Sequence, residues 1–243
     1  MNFLYRYAAP QNFYVLAGRI IPWAAILAFL LFLVGAYVGF FLAPTDFQQG
    51  EGYRIIFLHV PVSWMSMLIY LAMGFWSLIC LVFNSRTAAM MAAALAPTGA
   101  ICTVLSLVTG ALWGKPMWGA WWVWDARLTS ELLLLFLYMG FMGLRGAIDD
   151  PRRADKAASI LALVGVVNVP VIYFSVQWWN TLHQGASVSL TSSPSMATVM
   201  LTGMLLMSLA MWCYSIAIAL YRVRNLILER EAHTAWVRNL TEG

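Results

Sequence analysis

Two histidines and a run of tryptophans are the residues of this chain best suited to chemistry. Imidazole is a metal donor and an acid–base group near neutral pH. Of the three histidines, His59, His183 and His233, the first two stand near aromatic residues. Between Trp113 and Asp125 the sequence reads WGKPMWGAWWVWD, five tryptophans in thirteen residues, out of 12 in the whole chain. Indole is a broad apolar plate with one N–H donor at its edge. Several indoles in one short segment, closed by a carboxylate, build a platform for a large, flat, partly apolar ligand. His59 lies in FLHVP, and His183 follows Trp178 and Trp179 in QWWNTLHQGASVSLTSS.

The elements that position these groups are membrane spans. The chain is 62% hydrophobic and 10% charged, with a formal net charge of +4, whereas roughly a quarter of the residues in a soluble domain are charged. Apolar runs long enough to cross a hydrocarbon core of about 30 Å lie at Ile20–Leu42, Ile55–Phe83, Ala88–Leu112, Leu128–Ile148, Ala158–Gln177 and Met196–Tyr221. Pro97 weakens the third and Asn168–Pro170 the fifth, but broken helices are tolerated inside a bundle. The expectation is an all-α integral membrane protein, residues 1–243 forming one domain of six transmembrane helices. The first run is too long for a cleaved signal and is read as an uncleaved span.

Basic residues orient the bundle. One side collects Arg6, Arg19, Arg86, Arg145, Arg152, Arg153, Lys156, Arg222, Arg224, Arg230 and Arg238; the other holds Arg54, Lys115 and Arg127. Eleven against three places both termini in the cytoplasm. Segments 43–54, 113–127 and 178–195 then face outward. The tryptophan-rich loop 113–127, between helices 3 and 4, shares that face with His183, and His59 lies about one turn inside the second span. Paired imidazoles at one membrane level, beside an indole platform, can hold haem iron from both faces. The bland alternatives are structural histidines and an interfacial aromatic belt; a belt accounts for Trp23 or Trp178 better than for five tryptophans in one loop.

Arg54, Lys115 and Arg127 are candidate partners for carboxylates such as haem propionates. Arg127 also stands four residues from Glu131, whose carboxyl near the membrane boundary calls for a partner; that pairing is expected for Glu131, and the role of Arg127 stays open. Asp125 falls in the cap zone of the fourth span, where a carboxylate starts a helix. The loop DDPRRADK and the tail around His233 read as solvated connectors or partner contacts. Cys80, Cys102 and Cys213 sit in spans as small apolar side chains, with no CxxC, zinc spacing or CxxCH. Absence of GxxxxGK[ST], Ser-His-Asp and metalloprotease patterns leaves no enzymatic reaction to assign, and the dispersed basic residues make no nucleic-acid patch. A cytochrome b-like subunit would need more histidines for a second bis-histidine haem. A solute permease would need ionisable residues at mid-membrane.

Trp118-Gly119-Ala120-Trp121-Trp122-Val123-Trp124-Asp125 matches WGxxWxWD at all five fixed positions. Here the chain resembles the tryptophan-rich WWD family of haem-handling proteins, and by its length and six spans it is similar to the CcmC family of cytochrome c maturation haem-delivery proteins. The resemblance implies a b-type haem carried non-covalently as cargo, axial ligands His59 and His183, and a platform of Trp118, Trp122, Trp124 and Asp125, which Trp113 and Arg127 extend. It implies the periplasmic face of the bacterial inner membrane, delivery to the haem chaperone CcmE, and a complex with CcmA, CcmB and CcmD.

Overall fold

In the computed structural model, residues 7–179, 181–183, 188 and 194–241 are described; Arg6 and most of the segment after Trp179 lie outside them. Six helical spans are present: Pro10–Leu42, Glu51–Phe83, Arg86–Trp118, Ala126–Ala147, Pro151–Trp178 and Thr198–Arg230. They comprise α1 (Pro10–Tyr37, continued by a π turn Val38–Leu42), a 3₁₀ turn Glu51–Ile55 leading into α2 (Ile56–Phe83), α3 (Arg86–Trp118), α4 (Ala126–Ala147), α5 (Pro151–Gly165) with α6 (Asn168–Trp178), and α7 (Thr198–Arg230); a short α8 (Ala235–Thr241) follows. Every expected span is found, most of them longer than the apolar run alone.

Local chemistry explains the boundaries. Ser85, Asp125 and Asp150 cap α3, α4 and α5 by accepting from the amides of Ala88, Leu128 and Arg153, each satisfying one of the donors a helix start leaves without a partner. Asn84, at φ 49°, ends α2 in the left-handed region. Pro97 leaves α3 continuous, whereas the fifth span breaks at Val166–Val167. Pro170 lies four residues past Val166 and falls in the first turn of the helix that follows the break. Its ring conflicts with the carbonyl four residues back but fits the first turn of a new helix. Asn168 Nδ2 then holds the break against α4 through the Ser130 carbonyl at 2.9 Å.

α3 is the central helix, the most buried of the six spans, and α1 is the least buried. Its alanines allow α2 to pack close, and around them lie Tyr70, Met73, Leu134, Tyr138, Phe141 and Ile172. Tyr70 and Tyr138 meet edge to face at 4.9 Å. The large exposed side chains of α1, among them Phe29, Leu30 and Phe32, are at home in lipid, where apolar exposure costs nothing. α1 docks on α7 through small residues. A Cβ on Gly203 would stand 3.0 Å from the Cα of Gly39, backbone against backbone. Gly203→Val is therefore expected to cost about 1–3 kcal/mol through overpacking, read as a lower Tm in detergent.

Both described terminal segments lie at one end of the bundle. Thr87 donates to the Ala8 carbonyl at 2.8 Å, and Arg86 pairs with Glu231 at 3.2 Å. At this end Asp155 accepts from Arg145 at 3.1 Å and from Arg230 at 2.5 Å, tying α4, α5 and α7 together. The DDPRRADK segment is thus more than a solvated connector, because it is helical from Pro151 onward and its Asp155 is buried.

Candidate functional site

The opposite end carries His59, His183 and the tryptophan run. His59 enters on the first turn of α2 and is 7% exposed. His183 reaches the same point from the segment after α6. Their ring centroids are 6.3 Å apart at an interplanar angle of 35°. Trp113 meets His59 edge-on at 5.6 Å, and Trp118 lies 5.9 Å from His183. These four rings, with Ser63, Ser106, Arg127 and Glu131, line a cavity of about 40 Å³.

α3 runs further than the apolar run suggests, so Trp113, Lys115 and Trp118 stand on its last turns and the loop proper is 119–125. Gly119 ends the helix at φ 77°, a conformation glycine adopts without penalty. Its amide donates to the Lys115 carbonyl at 3.0 Å, while Lys115 Nζ donates to the Gly119 carbonyl at 3.0 Å. Lys115 thereby clamps this turn. Arg54 directs its donors to Glu51 and to the carbonyls of Gly39, at 2.8 Å, and Ala43, at 3.1 Å, holding the end of the first span. Of the three basic candidates, Arg127 is the one that lines the cavity.

The expected Arg127–Glu131 ion pair does not form. Arg127 donates across to the Ile172 carbonyl on α6 at 3.0 Å, and the buried Glu131 carboxylate instead accepts from the Ser66 hydroxyl at 2.8 Å. Four-residue spacing brings the two Cβ atoms to one face, but α6 offers Arg127 a carbonyl and α2 offers Glu131 a hydroxyl.

The five tryptophans divide into two groups. Trp113 and Trp118 flank the histidines; Trp113 Nε1 also donates to Gln49 Oε1 at 2.9 Å, tying α3 to the first rim loop. Trp122 and Trp124 form an edge-to-face pair at 5.2 Å further out, and Trp121 and Trp124 are exposed, Trp124 by 77%. Asp125 Oδ1 accepts from the Leu128 amide at 2.8 Å, fulfilling the cap reading. Its Oδ2 and Trp122 Nε1 are buried polar atoms with no hydrogen-bond partner among the described residues.

The profile of the family described as Heme exporter protein C matches residues 3–238. Heme exporter protein C of Escherichia coli (strain K12) is 48% identical over 241 residues, covering 98% of this chain and 96% of that protein. The chain belongs to the heme exporter protein C family. The protein of that name from Haemophilus influenzae is 44% identical over 99% of this chain and 98% of its own length. That from Bradyrhizobium diazoefficiens is 45% identical over 93% and 86%.

Within this heme exporter protein C family chain, sequence reading passed over the polar residues that hold the site together. Ser63 donates to the His59 carbonyl at 2.7 Å and meets Ser106 at 2.6 Å. Thr109 lies 2.9 Å from His59 Nδ1. The one available signal was spacing: Ser106, Thr109, Gly110 and Trp113 recur at three- and four-residue intervals and so share a face of α3.

Proposed function

We propose that this protein binds haem b non-covalently between His59 and His183, at the periplasmic face of the bacterial inner membrane, and delivers it to the haem chaperone CcmE for c-type cytochrome biogenesis. CcmA, CcmB and CcmD complete the assembly in this reading. The observation that carries it is the histidine pair. Two imidazoles bound through metal–nitrogen bonds of about 2 Å to one iron place their centroids roughly 6 Å apart, which is the separation of His59 and His183. Family membership and the Arg and Lys bias toward the opposite end support the same reading.

The cavity holds the iron and not the whole macrocycle. Its volume is about 40 Å³, whereas sites for flat ligands of this size occupy roughly 300–1,000 Å³. The porphyrin therefore extends outward, parting loop 119–125 from the segment at 181–183, with Trp113 and Trp118 against its body and Arg127 within the site to meet a propionate. An edge left outside the bundle is open to a partner. Indole surface and two neutral ligands hold the cargo firmly enough to carry and loosely enough to pass on.

Transfer is tested by co-expressing the protein with the chaperone and measuring haem bound covalently to the latter. Trp124→Ala, at an exposed site beyond the cavity, is expected to lower chaperone loading several-fold while leaving membrane insertion unchanged. Asp125→Ala is expected to do the same by removing a cap of about 1 kcal/mol and releasing the loop. Normal loading with both variants would exclude a delivery role for the rim.

A further inference from the structure

The Thr109 hydroxyl stands at a junction of three groups. It lies 2.6 Å from the Leu105 carbonyl oxygen and 3.3 Å from that of Ser106, and 2.9 Å from His59 Nδ1. A hydroxyl oxygen 2.6 Å from a carbonyl oxygen must have a proton between them, and the carbonyl has none to give. The Thr109 proton is thereby engaged by the backbone of α3. Toward His59 the hydroxyl offers lone pairs alone, so the contact is attractive when the histidine is the donor. That puts the proton of the neutral ring on Nδ1 and leaves the lone pair on Nε2.

The surroundings fix the ring as well as its tautomer. A Cβ on Gly110 would lie 3.2 Å from His59 Cε1, so the glycine leaves the imidazole room to lie close to α3. Trp113 closes on it edge-first at 5.6 Å. Ser63, bonded to the His59 carbonyl at 2.7 Å and to Ser106 at 2.6 Å, pins this turn of α2 to α3.

We infer that Thr109 is a positioning residue for haem capture: by accepting from the His59 Nδ1–H it presents Nε2 as the coordinating nitrogen. The role rests on the haem reading above. Metal-bound histidines depend in this way on a partner at the second nitrogen, and loss of such a partner lowers metal affinity or activity roughly 10–100-fold.

The test uses full-length protein labelled with ¹⁵N-histidine in detergent, with the His59 signals assigned by their loss in His59→Ala. In the haem-free wild type, His59 is expected as the Nδ1–H tautomer. Thr109→Val, which keeps shape and removes the acceptor, is expected to yield a tautomer mixture, about tenfold weaker haem binding and altered ferric EPR g values. Thr109→Ser is expected to restore all three. A wild-type Nε2–H tautomer, or Thr109→Val with unchanged tautomer and affinity, would overturn the inference while leaving the haem site intact. Failure of the wild-type protein to bind haem at all would instead remove the haem reading, and the positioning role with it. Should Thr109→Val not fold, the wild-type spectrum and Thr109→Ser still decide.

Discussion

Replacing His183 with alanine is expected to abolish the six-coordinate, low-spin Soret spectrum of the haem-loaded protein and to weaken binding at least tenfold, about 1.4 kcal/mol. The side chain belongs to the segment between α6 and α7, outside the helices, so the bundle has little reason to change. Exogenous imidazole, small enough for the space left behind, is expected to restore the low-spin spectrum. His59→Ala is expected to have the same spectral effect, and imidazole to rescue it less well. Its ring is 7% exposed and packed against Trp113 and Thr109, so its loss also leaves a hole between α2 and α3. An absorption titration of haem into the purified variants measures both. Wild-type spectra in both single variants would remove the histidines from the iron.

Asp155→Ala is expected to lower the Tm of the haem-free protein by the largest amount of any single substitution away from the histidine end, about 3–5 kcal/mol in stability. The carboxylate is 6% exposed and bonded to two guanidinium groups whose side chains are 18% and 21% exposed. Without it, Arg145 and Arg230 are two like charges brought together by three helices with no anion between them. Asp155→Asn keeps the shape and part of the hydrogen bonding, and is expected to fall between. Haem binding measured at low temperature should survive in both, because the substitution lies at the other end of the bundle. Thermal unfolding in detergent checks the prediction, and an unchanged Tm would show that the cluster is no anchor.

Much of the architecture was written in single residues and short intervals. Twenty-residue apolar runs are spans because an unbonded backbone cannot cross lipid, and a helix stands at each of them. Asp125 was readable as a cap because its contact, the Leu128 amide, is three residues away. The ends of the helices were harder. Polar residues and Pro116 obscured the last turns of α3, which continue to Trp118 and end at Gly119. Pro97 and Pro170 look alike in the sequence and differ in outcome: one sits among the buried alanines of α3, the other just past a break that Asn168 bridges to α4.

Arg127 and Glu131 show where local reasoning stops. Their spacing permits a pair, but which partner each takes depends on how α4 is rotated against α2 and α6, and that is settled by packing along its whole length. The same holds for the histidine pair. Composition, charge bias and apolar length determined that six helices cross a membrane and that His59, His183 and the tryptophan run after Leu112 gather at one end. Only tertiary structure brought the two rings to 6.3 Å, sorted Trp113 and Trp118 to them and Trp124 away, and set Thr109 behind His59. Those meetings join residues far apart in the chain, so they follow from helix rotation and depth in the bundle, quantities that no interval of three or four residues encodes.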